Sequence, residues 1–209
     1  LKLHWRWIDS DIIESVILYK NIARIDLQYE VDWRQHQMLL KNLFPLDIHT
    51  HEATYEIQFG NIKRPTHRNT SWEQAAFEVW THKWMDLSEE GYGVSFLNDC
   101  KYGVSVKGTL VGLTLLKSGV FPNETADQEH HSFTFALLPH KGNWKQAGTV
   151  AEAYRLNTEL WIARKPNEGG VQPPQFCMAE SLNSNIVLET IKQAEDGQGV
   201  IVRLYECHN

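Results

Sequence analysis

The chain has 209 residues, 42% of them hydrophobic, a length that a single all-β domain commonly fills and that can bury a sizeable core. Its formal net charge of −6 and pI of about 5.9 argue against nucleic acid or an anionic membrane as the main partner, because both require a basic face. No apolar run approaches the roughly 20 residues of a membrane helix, which leaves a soluble partner or a neutral ligand.

At the start, Leu1, Leu3, Trp5 and Trp7 alternate with Lys2, His4 and Arg6, the period-two pattern of a strand with one buried face. No charged-then-apolar leader precedes them, and a start at Leu1 inside an alternating pattern suggests a piece of a longer polypeptide. The apolar group Val16 to Tyr19 is followed by Ile25, Leu27, Tyr29 and Val31, which alternate with Arg24, Asp26, Gln28 and Glu30. That spacing fits a strand and not a helical stripe. Met38 to Leu46 is nearly continuous in apolar residues and reads as a central strand, with Pro45 near its end or at a bulge.

Tyr55, Ile57 and Phe59 alternate again, and further strands are expected over Leu110 to Leu116 and Phe133 to Pro139. Thr149-Val150-Ala151-Glu152 has the form of a capping box and predicts one short helix. Ser71-Trp72-Glu73-Gln74 has the same form, but Phe77-Glu78-Val79 soon reads as strand, so one turn is expected there. Loops fall at 122–127, 165–170 and 195–199, and the Pro/Gly-rich 165–174 is a candidate linker. Strand-like segments at 186–188 and 200–205 would add to the same sheets, so residues 1–209 read as one large antiparallel sandwich.

Polar, charged and aromatic residues crowd between Arg64 and Gly103, as they do around a ligand groove. Among the aromatics, Trp72, Trp80 and Trp84 lie beside polar residues and are the ones placed to meet a sugar face; a wide sandwich core needs bulky rings as well. His49 and His51 would share one strand face, and His130-His131 would point to opposite faces. No cysteine or carboxylate pattern completes a metal site around either pair. Glu89-Glu90 before Gly91 reads as a solvated turn, and Asp99 near Lys101 as an ion pair. No nucleophile elbow, phosphate loop or dinucleotide fingerprint is present. Cys100, Cys177 and Cys207 are too few and too dispersed for a disulfide framework, which suggests a reducing cytoplasmic setting. The sequons at Asn69 and Asn123 carry little weight beside that.

At Arg64 to Trp72 and Leu97 to Gly103, and in unbroken order over most of residues 14–161, the sequence resembles the C-terminal region of glycoside hydrolase family 38 α-mannosidases of the cytosolic and bacterial branch. The matching text includes Arg24-Ile25-Asp26, Val31-Asp32-Trp33, Leu43-Phe44-Pro45 and Ala53 to Gly60. It continues through Arg64 to Trp72, His82-Lys83-Trp84, Gly91 to Val94 and Leu97 to Gly103, and ends with Phe133 to Leu137, Trp144 and Glu152-Ala153-Tyr154. The resemblance implies an all-β fold, a large antiparallel β-supersandwich similar to galactose mutarotase, with one short helix. It also implies an upstream catalytic domain, absent here, that carries the carboxylate nucleophile and the zinc of a retaining mechanism acting on mannose-containing oligosaccharides.

No catalytic residue, metal or cofactor is therefore expected in this fragment. His67, Arg68 and Asn69, with Asn98, Asp99, Lys101 and Tyr102, are the candidates for lining the active-site rim or docking the catalytic domain. The expected partners are that domain and the oligosaccharide, with no nucleic acid and no membrane, and homo-oligomer formation is left open. Two rivals remain: a free-standing carbohydrate-binding module, and a mutarotase-like sugar epimerase, which would need a histidine converging with Asp99 or Glu78.

Overall fold

The computed structural model describes residues 1–164 and 175–208, so the candidate linker at 165–174 lies outside the described residues. Three strands open the chain as a meander: β1 (Lys2–Trp7), β2 (Ser10–Tyr19) and β3 (Ile22–Asp32). Then follow β4 (Met38–Pro45), β5 (Glu52–Ile57), β6 (Gly60–Pro65), the one-turn helix α1 (Ser71–Ala75) and β7 (Val79–Trp80). The hairpin β8 (Trp84–Glu89) and β9 (Tyr92–Asn98) leads to β10 (Gly103–Lys107), β11 (Leu110–Ser118) and β12 (His130–Lys141). Helix α2 (Thr149–Asn157) and a ribbon of β13 (Ile186–Gln193) and β14 (Val200–Glu206) complete it.

Eight strands form one sheet in the order β1-β2-β3-β12-β9-β8-β5-β6, and β4-β11-β10-β7 form a second. Every pairing is antiparallel, as the expected all-β sandwich requires. The period-two pattern explains the core. Leu27, Tyr29 and Val31 of β3 point between the sheets and meet Phe133 and Phe135 of β12, with Val104, Val111 and Leu113 from the facing sheet. Tyr29 stacks on both phenylalanines at 5.3 Å between ring centroids.

The second face of the eight-stranded sheet is also covered near its centre. Trp84, Leu97 and Ala136 point away from the main core and pack beneath Trp144, Val150 and Ala153, with Cys207 from the end of the ribbon. Strands β8 and β9 are consequently buried on both sides. Trp84 is 1% exposed and packs against the tilted ring of Trp144 at 4.7 Å, so it is a core residue and not a ring available to a sugar. The polar row of β3 is covered in the same way at its start. Arg24 bonds Asp26 at 2.6 Å and reaches Glu152 of α2 at 3.3 Å in a buried cluster.

Several local expectations are corrected. The first strand is an edge strand with Trp5 and Trp7 exposed, not one with a buried face, because no layer among the described residues covers it there, and β13 and β14 pair only with each other as a separate ribbon instead of adding to the sheets. Met38–Pro45 is an edge strand, not a central one: Lys41 and Asn42 interrupt its apolar run to bond Glu78 and the Tyr29 hydroxyl, Leu39 and Leu43 face outward, and donor-less Pro45 ends it. The helix at 149 forms without its predicted capping box, because Gly148 in a left-handed conformation is the N-cap. Thr149 is buried against Ser95 at 2.7 Å, while Glu152 turns to the arginines Arg24 and Arg155. The box at the other helix does form, one residue earlier than read, with Thr70 as N-cap and Glu73 as its partner.

Candidate functional site

The loop from Pro65 into α1 is held by its own polar groups. Thr70 Oγ1 accepts from the Glu73 N–H at 3.2 Å, and the Glu73 carboxylate accepts from the N–H groups of Thr70 at 2.9 Å and Asn69 at 2.6 Å. The Thr70 N–H, aided by that of Asn69 and by nearby His67, holds the Glu73 carboxyl below its usual range. His67 Nδ1 lies 3.4 Å from the same carboxylate, and Arg68 donates through Nη2 to the Phe77 carbonyl at 3.0 Å.

These contacts set His67 and Arg68 as the shared wall of two adjoining clefts. The smaller, about 210 Å³, is also lined by Tyr55, Arg64, Trp72 and Val79. The larger, about 730 Å³, is lined by His49, His51 and Lys107 beside the shared pair. Asn69 is exposed and contributes its backbone N–H to the cap; its side chain lines neither cleft.

Arg64 links this region to the second predicted cluster. It sits directly opposite Ala53 across β5 and β6, on the face that carries Tyr55, so its guanidinium reaches over the Tyr55 ring at 4.6 Å. It also lies 5.4 Å from the Trp80 ring centroid and donates to the Trp80 carbonyl at 3.1 Å. Burial pulls the Arg64 pKa down and pushes the Tyr55 phenol up to about 12, so at neutral pH the pair is a cation on a neutral ring. From Trp80 the row continues to His82 at 5.0 Å and from His82 to Tyr102 at 5.8 Å between centroids.

Register brings these distant residues together: Trp80 pairs with Gly103 between β7 and β10, and the Thr81 N–H donates to the Tyr102 carbonyl. Trp80 and Tyr102 remain 43% and 47% exposed, which leaves parts of two rings at the surface beside a half-buried cation. Such a row offers the stacking faces and hydrogen-bonding groups that hold a sugar ring or an apposed domain.

The other predicted residues occupy the end of β9. Asn98 is buried, its side-chain amide donates to the His82 carbonyl at 2.7 Å, and its backbone carbonyl accepts from the Asn157 side chain at 3.0 Å. Asp99 does not pair with Lys101 as the sequence suggested; its Oδ2 accepts from the Thr134 N–H at 2.7 Å, and the Lys101 ammonium sits 4.7 Å over the Phe133 ring. Burial and then Asp99 push the Cys100 thiol up to about 12, which keeps it protonated. Asn98 and Asp99 therefore lock the loop that presents Tyr102.

The histidine pairs take separate partners. His49 contacts Asp47 at 3.2 Å, His130 contacts Glu30 at 3.1 Å, and His131 bonds the Asp127 carbonyl. Glu89 closes the turn before Gly91 and also accepts from the His49 N–H at 2.6 Å. Among the described residues no three His, Cys, Asp or Glu side chains converge as a metal would need, so these residues do not fit a zinc ion. Glu78, the other carboxylate an epimerase would require, bonds Lys41 at 2.5 Å and Thr114, and Asp99 is engaged by Thr134.

Arg64 and His82 lie within the crowded stretch but the sequence does not single them out as site candidates, and Lys107 lies outside it. Arg64 could have been found from its position two residues beyond Ile62 on a strand facing Tyr55, once the β5–β6 register was known. For His82 and Lys107 no local signal exists, because their neighbours come from other strands.

Comparison with known proteins agrees with this architecture. The model for the glycosyl hydrolases family 38 C-terminal domain matches residues 1–125, and that for the family 38 C-terminal beta sandwich domain matches residues 185–209. Human alpha-mannosidase 2C1 is 45% identical over 204 residues, 96% of this chain and 19% of its own length. Alpha-mannosidase G of Dictyostelium discoideum is 41% identical over 199 residues, 95% of this chain and 18% of its own. The chain thus spans about a fifth of the length of these curated relatives. In three dimensions a family 38 glycosyl hydrolase from Enterococcus faecalis superimposes with a TM-score of 0.82 at 17% identity, over 95% of this chain and 24% of that one, which shows a shared fold. With the family model covering more than half of its residues, the chain belongs to glycosyl hydrolase family 38, as part of the C-terminal region of such a protein.

Proposed function

We propose that this domain belongs to an α-mannosidase that releases α-linked mannose from oligosaccharides, and that its Arg64–Trp80–His82–Tyr102 row lines the rim of the active site built by an upstream catalytic domain. The observation that carries this reading is the row itself: part-exposed rings around one half-buried guanidinium, with Tyr102 presented by a loop that Asn98 and Asp99 lock in place. Rings in this setting stack on sugar C–H faces, and the arginine orients hydroxyls.

The domain supplies shape and binding, and the acid, nucleophile and metal are assigned to the rest of the polypeptide, where a zinc ion would grip sugar hydroxyls. Family membership and the alpha-mannosidase names of the relatives support the activity. Three cysteines without disulfide partners fit a reducing, cytoplasmic setting.

The test uses the whole protein and an aryl α-mannoside. Trp80→Ala and Tyr102→Ala are expected to lower kcat/KM about tenfold each, the equivalent of about 1.4 kcal/mol, while leaving the melting temperature within a few degrees of wild type. Absence of α-mannoside hydrolysis by the whole protein would refute the activity, and unchanged kcat/KM in both variants would refute the rim.

A further inference from the structure

The larger cleft is out of keeping with the charge of the molecule around it. The chain carries a net charge of −6, yet no Asp or Glu lines this cleft, and its walls bring together Arg68, Lys107, His49, His51 and His67. The carboxylates nearest in sequence contact two of the histidines or lie elsewhere, and none reaches Arg68 or Lys107. Glu73 caps α1 and contacts His67, Asp47 is at 3.2 Å from His49, and Glu52 pairs with Lys63 at 3.0 Å. Arg68 uses Nη2 on the Phe77 carbonyl and has no carboxylate partner among the described residues, and the Lys107 ammonium has no partner there at all.

A guanidinium has five N–H donors in a planar fork, and an ammonium has three. Two such groups without counter-ions on the wall of one concavity are complementary to an oxyanion, for which charge-assisted hydrogen bonds are the strong kind. The cleft's volume of about 730 Å³ lies in the range of small-ligand sites.

The adjoining smaller cleft shares His67 and Arg68 and adds the Trp72 ring, which is 78% exposed, together with Tyr55 and Arg64. We propose that the joined clefts bind an anionic sugar, its phosphate or carboxylate held by Arg68 and Lys107 and its ring lying against Trp72. The sugar half of this assignment rests on the mannoside reading above; the oxyanion half does not.

The experiment is calorimetry on the whole protein at low salt with three probes: mannose, mannose 6-phosphate and inorganic phosphate. Mannose 6-phosphate should bind at least about tenfold more tightly than mannose, the scale of one charge-assisted hydrogen bond, and should weaken as salt rises. Lys107→Gln should cut binding of mannose 6-phosphate and of phosphate about tenfold and leave mannose binding unchanged. Because Lys107 has no partner to lose, this variant should fold as wild type; Arg68→Lys, which keeps the charge, should retain part of the affinity.

Equal binding of mannose and mannose 6-phosphate, or anion binding indifferent to Lys107→Gln, would overturn the site. Phosphate bound through Lys107 with no added affinity from the sugar would overturn the sugar half and uphold the oxyanion half. The mannosidase reading is decided separately, by hydrolysis of the neutral aryl mannoside.

Discussion

Gly93 pairs with Ser88 of β8 on one side and His140 of β12 on the other, and a Cβ there would stand 2.2 Å from Ser88 Oγ and 2.8 Å from His140 Cε1. Both neighbours are tied to Asp86. Its Oδ2 accepts from His140 and from Ser95, each at 2.8 Å, and its Oδ1 accepts from Ser88. Ser95 also bonds Thr149, so one buried carboxylate ties β8, β9 and β12 to the start of α2. A network of this kind stabilises only while every member keeps its partner, since an orphaned buried carboxylate is costly. Glycine is thus required here for space. Gly93→Ala should destabilise the fold by about 1–3 kcal/mol in urea unfolding, as overpacking of a close-packed interior does, and adding Ser88→Ala should recover part of the loss. A Gly93→Ala protein with wild-type stability would show that the strands yield without disturbing Asp86.

The helices show how an element signature can be right in type and wrong in place. Both T-x-x-E patterns have the composition of a capping box, but only Thr70 makes the reciprocal bonds. At the other site the tertiary fold claims both side chains: Thr149 for Ser95 and Glu152 for the buried Arg24. Those partners lie more than 50 and more than 120 residues away, beyond the reach of a local pattern. α1 buries no side chain and has five residues, too few to be stable alone in water, so its cap decides whether it forms. Thr70→Ala should cost about 1 kcal/mol and act locally. Hydrogen exchange should speed up across residues 69–76 while the strands keep their protection. Unchanged exchange in that segment would mean that the clefts are walled by something other than the cap.

At the scale of the molecule, alternation made the inward rows of β3 and β5 legible and so the sandwich, because period two is a property of each strand by itself; the same pattern in β1 marks a strand but not a buried face, since β1 lies at the sheet edge with Trp5 and Trp7 exposed. Burial of a second face was not legible. Nothing in Trp84-Met85-Asp86-Leu87 says that both sides are covered, and the cover comes from α2 and from a ribbon about a hundred residues later. The cleft region was half legible for the same reason: the side chains from Arg64 to Asn69 and from Asn98 to Tyr102 stood out as a crowd, whereas the placing of Arg64 over Tyr55 and of Lys107 beside Arg68 follows only from how the strands assemble. The ribbon carries the last expectation. The Tyr205 hydroxyl lies 3.0 Å from that of Tyr154 on α2, its ring meets Phe59 at 5.6 Å, and Cys207 closes the cluster around Trp84 and Trp144. If residues 1–209 form one cooperative unit, Tyr205→Ala should lower the stability of the whole by about 2 kcal/mol, for lost ring burial and one hydrogen bond. Far-ultraviolet dichroism and tryptophan fluorescence should then shift together as one transition. Two separated transitions, with the tryptophan signal changing first, would make the ribbon and α2 a layer that peels from an independently stable sandwich.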